Sequence, residues 1–336
     1  MSTLQSFNAR TGEAFGEALP ANTTAELHAA IDKAHAAFDS WQATDGAQRA
    51  SLLNALAVAL EQDREKLVEL ADAETGLGLP RLNGELDRTA FQLRRFATIA
   101  QSGGAFAFTD DPAVAGAPPA GHPAMMRVRV PLGPVAMFSA SNFPFAFSVL
   151  GGDTASALAA GCSVVVKAHS GHLHTSARVA QLARQVIASL GLHEGLVQMV
   201  QGAGNQVGVA LIQHPLIAAG AFTGSTRGGA ALRDPVDDRA ERGLVAPDQR
   251  EKLGGQNAVL AEEVRIACGD DGVADGGEGL AGGHVGQACQ QRPGLVGVAD
   301  QLGASGLQRG MGAQERQCLG VEPDHVTEPD AHACLA

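Results

Sequence analysis

Three blocks of helical periodicity open the chain. Leu27, Ile31, Ala34, Phe38 and Trp41 recur at helical spacing behind Thr23-Thr24-Ala25-Glu26, where Glu26 completes a capping box with Thr23. Leu52, Leu53, Leu56, Leu60 and Leu67 predict a second helix ending near Gly76, and Leu86, Leu93, Phe96 and Ile99 a third from about Pro80. Ahead of them, Asn8 to Gly12 is a turn signal inside a short hairpin spanning Phe7 to Leu19. These helices read as scaffold with solvated charged faces. A loop rich in Ala, Pro and Gly follows from Gly103 to Pro123. Met126, Val128 and Val130 then alternate with Arg127 and Arg129, the pattern of a half-exposed strand suited to an arm at an interface.

From Pro134 the pattern changes to short apolar runs alternating with helical segments. Strands are predicted at Val135–Phe138, Ser163–Lys167, Leu196–Val200 and Ile217–Phe222. Helices are predicted at Ser148–Ala160, Thr175–Leu190 and Asn205–Gln213, with Val179, Leu182, Val186 and Leu190 on one face of the second. The fold class is α/β, a parallel, doubly wound sheet, and ligands are expected at the carboxyl ends of its strands.

The candidate chemistry falls at those ends. Pro131 to Phe145 runs through the first strand into a turn carrying Ser139 and Asn142, with Phe143, Pro144 and Phe145 drying the surroundings. A fixed amide there can donate to an oxyanion, although Asn142 by itself reads more readily as a turn residue or helix cap. Lys167 ends the second strand, where a lysine reaches a ribose hydroxyl or a phosphate, or simply lies exposed. Gly202-Ala203-Gly204-Asn205-Gln206-Val207-Gly208 departs from the dinucleotide fingerprint, because its third glycine comes one residue late. It is a tight turn in which Gly202 and Gly204 still let a cofactor approach. Phe222-Thr223-Gly224-Ser225-Thr226 places N–H groups and hydroxyls where a pyrophosphate or nicotinamide fits. His169, His172 and His174 lack a neighbouring carboxylate or cysteine and read as a polar loop, so no metal is expected. Cys162 reads as a buried structural thiol.

Composition narrows the partners. A formal net charge of −12 over 336 residues weighs against nucleic acid and anionic membranes. No signal-peptide pattern opens the chain, and no apolar run reaches membrane-spanning length. Five cysteines without a CxxC fit a reduced, cytoplasmic setting. Tyr is absent, Phe222 is the last aromatic residue, and Gly, Ala, Asp, Gln and Arg dominate beyond it. The chain changes character between Arg227 and Asp234.

Taken together, Pro131-x-Gly-Pro, Asn142-Phe-Pro, Lys167, Gly202-x-Gly204 and Phe222-Thr-Gly-Ser-Thr226 resemble the aldehyde dehydrogenase superfamily over about residues 5–229. Val166 to His172 and Phe138 to Phe145 look most like its α-ketoglutaric semialdehyde (2,5-dioxovalerate) dehydrogenase branch. The resemblance implies a Rossmann-like cofactor domain behind N-terminal helices, a catalytic domain and a homo-oligomer whose arm is expected to be missing here. It implies oxidation of a small-molecule aldehyde, α-ketoglutaric semialdehyde to 2-oxoglutarate, through a cysteine thioester, with Asn142 as oxyanion donor. Ser139, Lys167, Ser170, Gly204, Gly224 and Ser225 would hold the cofactor. Many relatives carry a glutamate where Ser170 stands; without that carboxylate, NADP is expected to bind at least as well as NAD.

The resemblance breaks after about Gly229. Glu251-Lys252-Leu253-Gly254-Gly255-Gln256-Asn257 is similar to the family's general-base motif with one residue inserted, and Gly286-Gln287-Ala288-Cys289 to its nucleophile motif. Glu251 and Cys289 are thus the candidate base and nucleophile. The expected organisation is residues 1–230 as helices plus dinucleotide-binding domain, and 231–336 as a truncated, degenerate or partly disordered catalytic remnant. That remnant is either highly divergent, or the product of a frameshift or rearrangement in which the likenesses at Glu251 and Cys289 are chance, and the second reading is favoured. An inactive nucleotide-binding remnant and a structural partner of an intact paralogue are the competing readings.

Overall fold

The computed structural model describes residues 2–106, 108–117, 120–225 and 227–233, together with Ile266–Gly269. A hairpin of β1 (Thr3–Phe7) and β2 (Ala14–Pro20) leads into α1 (Thr24–Trp41). The Thr23 hydroxyl accepts from the Glu26 amide at 3.2 Å, and the Glu26 carboxylate accepts from the Thr23 amide at 2.7 Å, closing the capping box. The second predicted helix is in fact two, α2 (Gly46–Gln62) and α3 (Arg64–Thr75). Asp63 leaves helical geometry at φ −98°, ψ 12°, and its carboxylate is held by both Nε and Nη2 of Arg178. Leucine spacing continues across that break, so periodicity alone could not reveal it. Gly76 ends α3 in the left-handed conformation. Then α4 (Leu79–Gln101) begins with Pro80 in its first turn.

A two-stranded antiparallel ladder, β3 (Phe108–Asp111) and β4 (Met125–Val128), follows, exposing Phe108, Met125, Met126 and Val128. The central sheet is parallel and contains β5 (Val135–Phe138), β6 (Val164–Lys167), β7 (Val197–Val200), β8 (Ala219–Thr223) and β9 (Ile266–Gly269) in the order β7-β6-β5-β8-β9. Between its strands lie α5 (Gly152–Ala159), α6 (Leu173–Ser189) and α7 (Gln206–Ile212). The chain moves outward from β5 to β7, then returns past β5 to β8. The crevice between β5 and β8 is therefore the topological switch point.

Both sheet faces are buried. Val135, Met137, Val164 and Val166 pack with α2, α4, α5 and α6, while Ala136, Phe138, Val165 and Val200 pack with α1 and α7. Trp41 Nε1 donates to the Leu158 carbonyl at 3.1 Å, tying α1 to α5. Two boundaries moved for packing reasons. The helix expected from Ser148 begins only at Gly152, because residues 144–150 form turns and Gly151 lies too close to the Ala146 carbonyl to carry a side chain. In α6, Ile187 rather than the exposed Leu190 joins the core. Among the described residues, no helix is long and apolar enough to cross a membrane.

Candidate active site

Four loops leave the carboxyl edge of the sheet. After β5, the Ser139 amide donates to the Lys167 carbonyl at 3.1 Å and the Ala140 amide to the Phe147 carbonyl at 2.8 Å. Ser139 is buried, with its hydroxyl receiving Ser148 Oγ at 3.3 Å. Asn142 is half-buried on this loop, beyond the end of β5. No helix N-terminus follows it directly, since the next helix begins only at Gly152. The amides of Phe145 and Ala146 are instead taken by Glu85 Oε1 of α4, at 2.7 and 2.9 Å. Burial pushes the Glu85 carboxyl up, opposed by those two hydrogen bonds. Arg81 Nη2 donates to the Asn142 carbonyl at 2.9 Å. The polar face of α4 is thus partly a clamp on the Asn142 loop and not merely a solvated surface.

Lys167 closes β6, half-buried and without an ion pair among the described residues. Desolvation pulls its ammonium below the ordinary lysine range. His169 follows, and its Nδ1 accepts from the Gly171 amide at 3.0 Å, so a neutral ring keeps its proton on Nε2. Burial, then His172 and Lys167, drive its pKa down to about 4. His172 is buried, with Nε2 on the Ala140 carbonyl at 2.8 Å and Nδ1 on Ser176 Oγ at 3.0 Å. Those two bonds leave it a structural brace between the β5 and β6 loops. Ser170 is exposed at the head of the turn before α6.

After β7, Gly204 is exposed in the left-handed conformation at φ +63°, with nothing within 4 Å of where a Cβ would stand. A Cβ on Gly202 would lie 2.4 Å from Val207. After β8, Gly224 lies so close to the Phe222 ring that a Cβ would stand 2.7 Å from it. Ser225 is exposed, and its Oγ accepts from the Gly228 amide at 3.2 Å, which caps the helical turn 227–233. The sheet therefore brings Ser139, Asn142, Lys167, Ser170, Gly204, Gly224 and Ser225 to one edge. Glu251 and Cys289 lie outside the described residues.

Sequence reasoning passed over one residue at the switch point. Asp153, in the first turn of α5, accepts from the Thr223 hydroxyl at 3.3 Å. Burial pushes its carboxyl up to about 6, with the Thr223 hydrogen bond acting the other way. The available signal was a lone carboxylate within the small and apolar stretch from Leu150 to Leu158. Cys162 is buried next to Arg49, and burial raises its thiol.

The sequence model of the Aldehyde dehydrogenase family matches residues 2–290, a span that continues beyond residue 229 and includes Glu251 and Cys289. The chain is 40% identical over 299 residues to alpha-ketoglutaric semialdehyde dehydrogenase 2 of Azospirillum brasilense, covering 88% of this chain and 55% of that protein. It is 42% identical over 239 residues to the alpha-ketoglutaric semialdehyde dehydrogenase of Acinetobacter baylyi, covering 71% and 45%. A double mutant of betaine aldehyde dehydrogenase from Staphylococcus aureus, solved in complex with NAD+, superposes with a TM-score of 0.61 at 25% identity, over 70% of this chain and 45% of that one. The chain spans about half the length of the curated relatives it matches.

Proposed function

This chain belongs to the aldehyde dehydrogenase family, and on that premise we propose that it carries the cofactor-binding half of an NAD(P)-dependent semialdehyde dehydrogenase. The observation that carries the reading is the convergence of Asn142, Lys167, Gly204 and Gly224 on the carboxyl edge of one parallel sheet, around its switch point. The names of the relatives point to α-ketoglutaric semialdehyde as substrate and 2-oxoglutarate as product. In domain terms, we take residues 1–230 as the helices and dinucleotide-binding domain, and 231–336 as a degenerate remnant of the catalytic domain.

The edge fits a dinucleotide. Lys167 offers a positive charge without a competing carboxylate, and the crowded turns at Gly202 and Gly224 leave the backbone bare for close approach. Lys167 and Ser170 would hold the adenosine ribose, Gly204 would line the adenine side, and Ser139, Gly224 and Ser225 would face the pyrophosphate and nicotinamide. Once bound, the dinucleotide supplies the hydride acceptor. The residues of the chain do the rest. The Cys289 thiolate attacks the aldehyde carbon, the Asn142 amide donates to the oxyanion, and Glu251 takes a proton from the water that cleaves the thioester. One oxyanion donor is typically worth about 3–4 kcal/mol.

We also propose that NADP is at least as good a cofactor as NAD. A carboxylate that binds the ribose 2′-hydroxyl would repel a 2′-phosphate, and the loop after Lys167 offers His169, Ser170 and His172 in place of one. Calorimetric titration of the full chain with each cofactor tests both statements. Micromolar NADP binding is expected; clearly tighter NAD binding would overturn the preference, and no binding of either would overturn the assignment of the edge.

A further inference from the structure

We propose that Arg81 and Arg88, seated on the Phe143–Phe147 ring pair beside Asn142, recognise a carboxylate at the far end of the aldehyde, so that the substrate class is anionic oxo-acids. The proposal rests on the reading of Asn142 as the oxyanion donor. The two arginines lie seven residues apart on α4, two turns along one face and about 10 Å apart along the axis. They nevertheless converge on one aromatic pair. The Arg81 guanidinium carbon stands 5.2 Å from the Phe143 ring centre, and that of Arg88 stands 5.9 Å from Phe143 and 5.1 Å from Phe147. The rings themselves meet edge to face at 5.2 Å. A guanidinium over a ring uses its face there and keeps N–H donors at its edge for an oxygen ligand.

Among the described residues neither guanidinium is held in a direct ion pair, although both act through space on the buried Glu85 carboxyl, opposing the upward push of burial. Glu85 lies between them in sequence, but its Oε1 faces the Phe145 and Ala146 amides. Asp87 is committed to Arg64. In a chain of net charge −12, two exposed arginines thus lie on the aromatic pair that follows Asn142, and Arg81 is hydrogen-bonded to the Asn142 carbonyl at 2.9 Å. A neutral aldehyde needs only an apolar wall at this position. A carboxylate gains a planar, two-pronged partner from a guanidinium and is drawn towards the mouth by its field. The aldehyde carbon of the same molecule is then held towards Asn142.

The test titrates the full chain, with and without saturating NADP, with 2-oxoglutarate and with its neutral dimethyl ester. Wild type is expected to bind the dianion at least tenfold more tightly than the ester. Arg88→Gln and Arg81→Gln should each remove most of that preference, Arg88→Lys should restore part of it, and NADP affinity should stay unchanged throughout. Equal binding of dianion and ester by wild type, or undiminished preference in Arg88→Gln, would overturn the proposal. Absence of NADP binding in the same samples would count against the cofactor reading instead, which keeps the two failures apart.

Discussion

At the carboxyl end of β8 a half-buried carboxyl faces a buried hydroxyl, and the pair has a measurable consequence. Asp153 has a folded-state pKa raised from 3.8 to about 6. The folded chain therefore binds this proton more tightly than the unfolded chain. Stability from this group is greatest below about pH 4, falls as pH rises towards 6, and stays reduced above it. The shift corresponds to roughly 3 kcal/mol at most. Asp153→Asn keeps an acceptor for Thr223 and loses the titration, so it is expected to be more stable than wild type at pH 8 and nearly equal at pH 4. Urea unfolding across that range checks it; parallel pH profiles would sink the idea. Lys167 supplies a second test. Lys167→Ala is expected to weaken NADP binding by about 1–3 kcal/mol more than NAD binding, as for a lost charge-assisted contact. Equal small losses for both cofactors would place this side chain outside the phosphate site. The two residues also show what the sequence could reveal. The place of Lys167 was readable because it ends an apolar run at a strand terminus. Asp153 was not, because its partner Thr223 lies 70 positions away and only the sheet brings them together.

Among the elements, the helices were legible wherever one apolar stripe faced one core. Leu52, Leu53, Leu56 and Leu60 of α2 and Leu82, Leu86 and Leu93 of α4 are all fully buried, each contributing about 1.5–3 kcal/mol. Polar residues that join elements were illegible, because an amphipathic pattern says nothing about what meets the polar side. Glu74 of α3 is the strongest case. Its carboxylate accepts from the Ser6 hydroxyl at 2.7 Å, from the His174 and Thr175 amides at 2.8 and 2.9 Å, and from the Thr175 hydroxyl at 2.7 Å. One side chain thus caps α6 and pins β1 to α3. Glu74→Ala leaves those donors without a partner in a buried place and is expected to cost about 2–4 kcal/mol. The denaturant midpoint should fall accordingly, while Lys167-dependent cofactor affinity, measured under folding conditions, should not change. A loss below about 0.5 kcal/mol would show that water replaces the carboxylate without penalty.

On the scale of the whole molecule, the chain divides by composition where its chemistry divides by role. Up to Ser225 it has Phe, Trp and β-branched residues in plenty, and these build a sheet buried on both faces. On the proposed reading that half supplies Asn142 and the cofactor edge, and its one cysteine, Cys162, is a buried thiol just ahead of β6 rather than a residue of the edge. On the proposed mechanism the nucleophile and the base would come from the stretch that includes Glu251 and Cys289, where no aromatic residue occurs and glycine is abundant. Oxidation requires nucleophile, oxyanion donor and hydride acceptor to be held within about 3–3.5 Å of reacting geometry. From its composition alone, a segment with so few large apolar residues is expected to offset its ordering entropy only weakly. The expected outcome is a chain that binds NADP well and oxidises aldehydes poorly. Following NADPH formation with α-ketoglutaric semialdehyde, alongside Cys289→Ser, checks it. Slow turnover is expected, and Cys289→Ser should remove what little there is. Rapid turnover that Cys289→Ser abolishes would mean that the glycine-rich stretch holds its cysteine against Asn142 as firmly as a full catalytic domain does, and that composition is a poor guide to its order.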